Sequence, residues 1–192
     1  YTDEKGERQK EDIDVPNVTD MERILHIYKY NPVGENDPEG DGTAVDINAD
    51  THTPLANVSF SIYKVCALKD LENINGEVPA VVLGEEPTEA DVATYSTIEN
   101  YITTVTTDAL GHAMYTFGDA GSDGVYLVVE EPNPAIAVAT KPFFVSLPMT
   151  NPTQDGWLYT VYVYPKNDLE PAPEIDKDVT KVGNDYGTFD VN

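Results

Sequence analysis

The chain has 192 residues, 40% of them apolar, which is enough for one core and little more. It carries 35 acidic residues against 11 basic ones, a net charge of −24, so it repels phosphate backbones and nucleic acid is excluded as a partner. The single cysteine, Cys66, excludes an internal disulfide and a thiolate metal cluster, and no apolar run is long enough to predict membrane insertion as a helix.

Residues 1–20 are polar and densely charged and read as a flexible arm. Ile24 to Tyr30 is the first strand, with Leu25, Ile27 and Lys29 on one face. The Gly-, Asp- and Asn-rich stretch from Asn31 to Thr53 reads as a loop. Within it, Asp37-Pro-Glu-Gly-Asp-Gly42 resembles the start of an EF-hand, but position twelve is Asn48 rather than Glu. Whether a calcium ion binds residues 37–48 stays open. His26, His52 and His112 have no metal-ligand spacing among themselves, so no metal site and no cofactor is predicted from them. Asn57 to Val65 is a second strand, with Val58, Phe60 and Ile62 alternating.

Pro87-Thr-Glu-Ala-Asp91 has the form of a helix start, with Thr88 as N-cap and Asp91 three residues on. Val92, Tyr95, Ile98, Glu99 and Ile102 follow at roughly helical spacing, which predicts a short helix inserted among strands. Further strands are expected at Tyr101 to Thr107, His112 to Phe117, Val125 to Glu130, Lys141 to Leu147 and Trp157 to Asn167. Short strands separated by turns indicate an all-β, antiparallel sandwich. Glu170-Pro-Ala-Pro-Glu174 reads as a semi-rigid linker. The expected division is therefore an arm at 1–20, one domain at 21–168, a linker at 169–174 and the start of a second domain at 175–192.

The most telling stretch is Trp157-Leu-Tyr-Thr-Val161-Tyr-Val163-Tyr164-Pro165-Lys166-Asn167. It resembles the pilin motif, W-x-x-x-V-x-V-Y-P-K, of backbone subunits of sortase-assembled Gram-positive pili. Every fixed position is present. Three other stretches resemble the CnaB-type immunoglobulin-like domain of pilins and surface adhesins. Pro54-Leu-Ala-Asn-Val-Ser-Phe60 resembles "PLAGVEF", Thr107-Asp-Ala-Leu-Gly111 resembles "TDANG", and Tyr126-Leu-Val-Val-Glu130 resembles the start of the E-box. The E-box departs from its pattern after Glu130: Glu131 stands where Thr is usual, and the later Ala-Pro-x-Gly-Tyr portion is degraded.

The resemblance implies an extracellular subunit of a pilus attached to the cell wall. Its partners would be other copies of the same pilin, a class C sortase, and tip and basal pilins. Lys166 would be the acceptor that becomes joined to the next subunit. The resemblance also implies an internal bond between Lys29 and Asn167, with Glu130 as the catalytic acid. Strand alternation sets each of these on a core face: Lys29 with Leu25 and Ile27, Glu130 with Tyr126 and Val128, Asn167 with Val161 and Val163. Polar groups on core faces are costly unless they meet. Desolvation disfavours charge, so an amine and a carboxyl buried together tend toward their neutral forms. A neutral amine can attack an amide whose carbonyl a carboxyl polarises, and ammonia leaves. By parity Lys166, with Tyr162 and Tyr164, falls on the opposite face from Asn167.

Leu147-Pro-Met-Thr-Asn151 resembles a sortase sorting signal, but has Asn for Gly and lies between two strands, so it reads as a structural loop. No enzyme constellation is present, and the chain reads as a sortase substrate whose only chemistry is one internal turnover. The alternative reading is a ligand-binding adhesin or stalk domain of the same fold that is not polymerised.

Overall fold

The computed structural model describes residues 21–31, 40–47, 50–70, 86–134, 136 and 139–166. The expected arm, linker and second-domain start, Asn167, and part of the 37–48 loop lie outside the described residues. The strands are β1 (Arg23–Tyr28), β2 (Tyr30–Asn31), β3 (Thr53–Pro54), β4 (Ser59–Ala67), β5 (Tyr101–Thr106), β6 (His112–Gly118), β7 (Gly124–Glu130), β8 (Phe143–Leu147), β9 (Met149–Thr150), β10 (Trp157–Leu158) and β11 (Thr160–Val163), with one helix, α1 (Glu89–Tyr95), between β4 and β5.

Two sheets form an immunoglobulin-like sandwich. One has the order β11-β1-β6 and the other β5-β4-β7-β8. Their inner faces supply one core. Leu25, Ile27, Ala113 and Val161 come from the first sheet, and Val58, Phe60, Ile62, Tyr126, Val128, Val145 and Leu147 come from the second sheet and its approach. Alternation places these side chains inward: β1 reads buried, half-buried, buried from Arg23 onward. Two short ribbons, β2–β3 and β9–β10, edge the sandwich.

Three details differ from the sequence expectation. Pairing is antiparallel throughout except between the first and last strands: β1 and β11 run parallel, with Leu25 opposite Val161 and Ile27 opposite Val163. The helix keeps its expected start, where the Thr88 hydroxyl accepts the Asp91 N–H at 3.2 Å and Asp91 accepts the Thr88 N–H at 2.8 Å. It ends at Tyr95, however, and Ile98 lies beyond it, 86% exposed, while Ile102 is in β5. The helix buries no residue fully, so its extent is set by its caps rather than by an apolar stripe. Asn100 donates its amide to the Tyr95 carbonyl at 3.1 Å and closes the C-terminal end.

The motif strand is the third difference. The expected run from Trp157 to Asn167 is two strands, broken at Tyr159. β10 pairs with β9 and β11 pairs with β1, so the chain changes sheets at the break. β11 stops at Val163 because Pro165 has no N–H to continue a ladder. Strand parity therefore does not extend to Lys166.

Candidate functional site

β1 carries charged residues on its core face at both ends, Arg23 and, one residue past the strand, Lys29. Lys29 is fully buried. Its backbone is fixed from two sides: its N–H donates to the Gly111 carbonyl at 2.8 Å, and its carbonyl accepts the Leu55 N–H at 2.9 Å. The turn 107–111 makes this approach. Asp108 accepts the N–H groups of Leu110 and His112, which hold its carboxyl below the usual range. Gly111 then takes φ +71°, and a β-carbon there would lie 2.4 Å from the Lys29 carbonyl oxygen. Thr107 ties the same turn to the neighbouring loop, accepting the Val58 N–H at 2.9 Å and donating to the Leu55 carbonyl at 2.7 Å.

The structure brings Lys29 and Glu130 together. Glu130 ends β7, and its Oε2 lies 2.8 Å from Lys29 Nζ, with both side chains essentially inaccessible to solvent. Burial pulls the Lys29 amine below its ordinary value, against the opposing hydrogen bond and charge of Glu130. Thr140, at the approach to β8, completes the group. Its hydroxyl accepts from Lys29 Nζ, and its backbone N–H donates to Glu130 Oε2 at 3.1 Å. Glu130 Oε1 is buried and has no hydrogen-bond partner among the described residues. A buried carboxylate oxygen without a donor is costly. Asn167, the third residue of the expected trio, lies outside the described residues.

Lys166 is exposed just beyond Pro165. It lines a cleft of about 490 Å³ with Phe143, Phe144, Val145, Met149 and Tyr164. Thr140 lines the same cleft, so one residue touches both the buried pair and the space beside Lys166. Tyr164 fixes the motif's end: its hydroxyl accepts the Val45 N–H at 2.8 Å, which holds the loop 40–47 against it. The outer face of the β11-β1-β6 sheet is a stack of rings in which His26 sits between His112 and Tyr162, and Tyr28 stacks on His112 and Tyr164.

Trp157 is 54% exposed, and Val161 is the buried member of the motif. Cys66 is half-buried, and burial raises its thiol, so it is not a poised nucleophile. Among the described residues no group of three metal-binding side chains forms, and Asp41 is instead engaged by the N–H and hydroxyl of Thr43. Residues 147–151 form a bend and β9, with Met149 and Thr150 paired to Leu158 and Trp157.

The sequence reading missed Thr140. It belongs to no motif and falls where strand alternation gives no signal. It missed the Arg23–Asp123 pair as well, although Arg23 continues the same alternation as Leu25, Ile27 and Lys29.

The family model of the Gram-positive pilin subunit D1, N-terminal domain, matches residues 24–168. The chain belongs to this pilin family. It is 34% identical over 138 residues to a fimbrial subunit type 1 of Actinomyces viscosus, a match covering 66% of this chain and 24% of that protein. The full-length major pilin SpaD of Corynebacterium diphtheriae superposes with a TM-score of 0.54 at 30% identity, over 78% of this chain and 32% of that one. The shaft pilin SpaA of Lactobacillus rhamnosus GG shares the fold, with a TM-score of 0.50 at 23% identity over 76% of this chain and 50% of that structure. The pilin chain thus spans between about a quarter and a third of the length of the first two relatives. These relatives are a fimbrial subunit and pilins, and the pilin's strand-rich fold is shared with the major pilin SpaD.

Proposed function

We propose that this chain is the N-terminal domain of a pilus backbone subunit, joined covalently to its neighbour through Lys166. The observation that carries this reading is the placement of Lys166, exposed at the end of a complete pilin motif and on a cleft lined by both apolar and polar side chains. The cleft receives the C-terminal segment of the next copy. Sortase presents that segment as an acyl-enzyme, and the Lys166 amine attacks its threonine carbonyl. A new amide forms, and the sortase cysteine leaves. Lysine amines are protonated near neutral pH, so the docked sortase supplies the base. The subunit is then displayed outside the cell, on the pilus attached to the wall.

The second part of the proposal is an internal amide between Lys29 and Asn167, formed beside Glu130. Its support is the buried Lys29–Glu130 contact at 2.8 Å and the unpartnered Glu130 oxygen. The reaction is a single turnover within one chain. A bond that ties β1 to the segment after β11 carries tension along the covalent chain, past the ladder hydrogen bonds of the parallel β1–β11 pair.

Lys166→Arg tests the polymerisation. It keeps the charge and removes the usable nucleophile. With full-length subunits and the cognate sortase, the variant folds normally and stays monomeric. Polymer ladders of undiminished length from this variant would move the acceptor to another lysine and favour an adhesin or stalk role for this site.

A further inference from the structure

The two oxygens of Glu130 have different surroundings. Oε2 accepts two N–H groups, one from Lys29 Nζ at 2.8 Å and one from the Thr140 backbone at 3.1 Å. Oε1 is buried and accepts none among the described residues. In a neutral carboxyl, the oxygen that already accepts donors is the carbonyl oxygen, and the hydroxyl proton rests on the other. The Lys29 amine is likewise divided. One N–H points at Glu130 Oε2 and a second at the Thr140 hydroxyl. A neutral amine has two N–H bonds and one lone pair, so the lone pair is left the remaining tetrahedral direction.

We propose that Thr140 is a positioning residue for the internal amide bond. It directs the Lys29 lone pair with its hydroxyl and fixes the acid proton on Glu130 Oε1 with its backbone N–H. This rests on the proposed Lys29–Asn167 reaction and adds the division of roles within it. The Lys29 Nζ lone pair attacks the Asn167 side-chain carbonyl carbon. Glu130 Oε1 gives its proton to the departing amide nitrogen, and the carbon–nitrogen bond breaks to release ammonia. Oε2 takes a proton from Nζ, so Glu130 ends as it began, with the proton on the other oxygen. One bond forms, one breaks, and the protons balance.

Arg23 supplies an internal contrast. Its guanidinium is buried, donates to the Asp123 carboxylate and the Met21 carbonyl and lies over the Tyr159 ring, whereas the Lys29 amine donates to the Thr140 hydroxyl.

The test follows intact mass with time after a pulse of synthesis and reads the loss of one ammonia. Thr140→Val removes the hydroxyl and retains the shape and the backbone N–H. Its ammonia loss is about tenfold slower or more, the scale of a misdirected nucleophile. Thr140→Ser keeps the hydroxyl and runs near the wild-type rate, a rescue that a packing role would not give because Ser lacks the methyl. A Val variant as fast as wild type overturns the positioning role and leaves the crosslink standing. A Ser variant as slow as Val, or a Val variant that does not fold, makes Thr140 structural and also overturns it. Wild-type protein that never loses ammonia overturns both the crosslink and the role of Thr140.

Discussion

The two ends of β1 make the same move with opposite consequences. At one end Arg23 is 1% exposed, with Nε 2.6 Å from Asp123 Oδ1 and Nη2 3.3 Å from Oδ2. At the other end Lys29 is fully buried, with Nζ 2.8 Å from Glu130 Oε2. The guanidinium donates to Asp123 and the Met21 carbonyl and lies over the face of the Tyr159 ring. Asp123 is 32% exposed on its side chain, so water can serve its remaining lone pairs. The Glu130 side chain is 1% exposed and has an oxygen with no donor among the described residues. A buried ion pair that is fully partnered closes a sandwich. The Lys29–Glu130 pair lacks that access to water, and burial lowers its amine, which is the asymmetry that the proposed internal bond would use.

The largest effect that distinguishes the two ends comes from Glu130→Ala. It leaves Lys29 buried without its carboxylate and prevents the proposed crosslink. The closed loop spans 138 residues (167 minus 29), and by analogy with disulfides its constraint is worth roughly 5 kcal/mol. The variant therefore unfolds at much lower temperature and denaturant than wild type. An unchanged melting temperature would mean that no such constraint existed.

Arg23→Leu is the matching experiment at the other end. It leaves Asp123 unpaired, but this carboxylate can hydrate, so the loss is about 1–3 kcal/mol. The internal bond still forms, because Lys29, Glu130 and Thr140 are untouched. Equal losses in Arg23→Leu and Glu130→Ala would erase the distinction between a structural and a reactive pair.

The smallest effect lies on the outer face of the same strand. Burial, and then the neighbouring His112, pull His26 below the ordinary histidine value. A depressed folded value means that the neutral ring is favoured in the fold. That stabilisation is complete above the unfolded value of about 6.5 and is lost as pH falls through the folded one. The Nδ1 of His26 lies 2.9 Å from Nε2 of His112, with Tyr162 stacked on the far side. His26→Phe keeps the stack and flattens the acid side of the stability profile, by less than about 1 kcal/mol once solvent screening is counted. A profile as steep as wild type would assign the acid loss to the carboxylates.

Much of this arrangement is legible in the residues, because a sheet has a period of two. Leu25 and Ile27 define a core face, and Lys29 follows on it; Tyr126 and Val128 do the same for Glu130. Lys166 is marked by the motif alone, since β11 ends at Val163 and parity has no meaning beyond it. The helix start at Thr88 is legible because a capping box is local, but its end is not, because Ser96 and Asn100 stop it through contacts that no periodicity reports. Thr140 is invisible for a related reason. It meets Lys29 across 111 residues of sequence, and its value lies in where β8 begins rather than in any pattern around it.

The central claim about the buried site is that Lys29 and Asn167 are one covalent unit. Intact mass, followed by sequencing of the linked peptides, tests it most directly. The expected result is a chain one ammonia lighter than its sequence, with Lys29 and Asn167 in a single branched peptide, and the full sequence mass in Glu130→Ala. Wild-type protein at the full sequence mass, with Lys29 in an ordinary linear peptide, would contradict it.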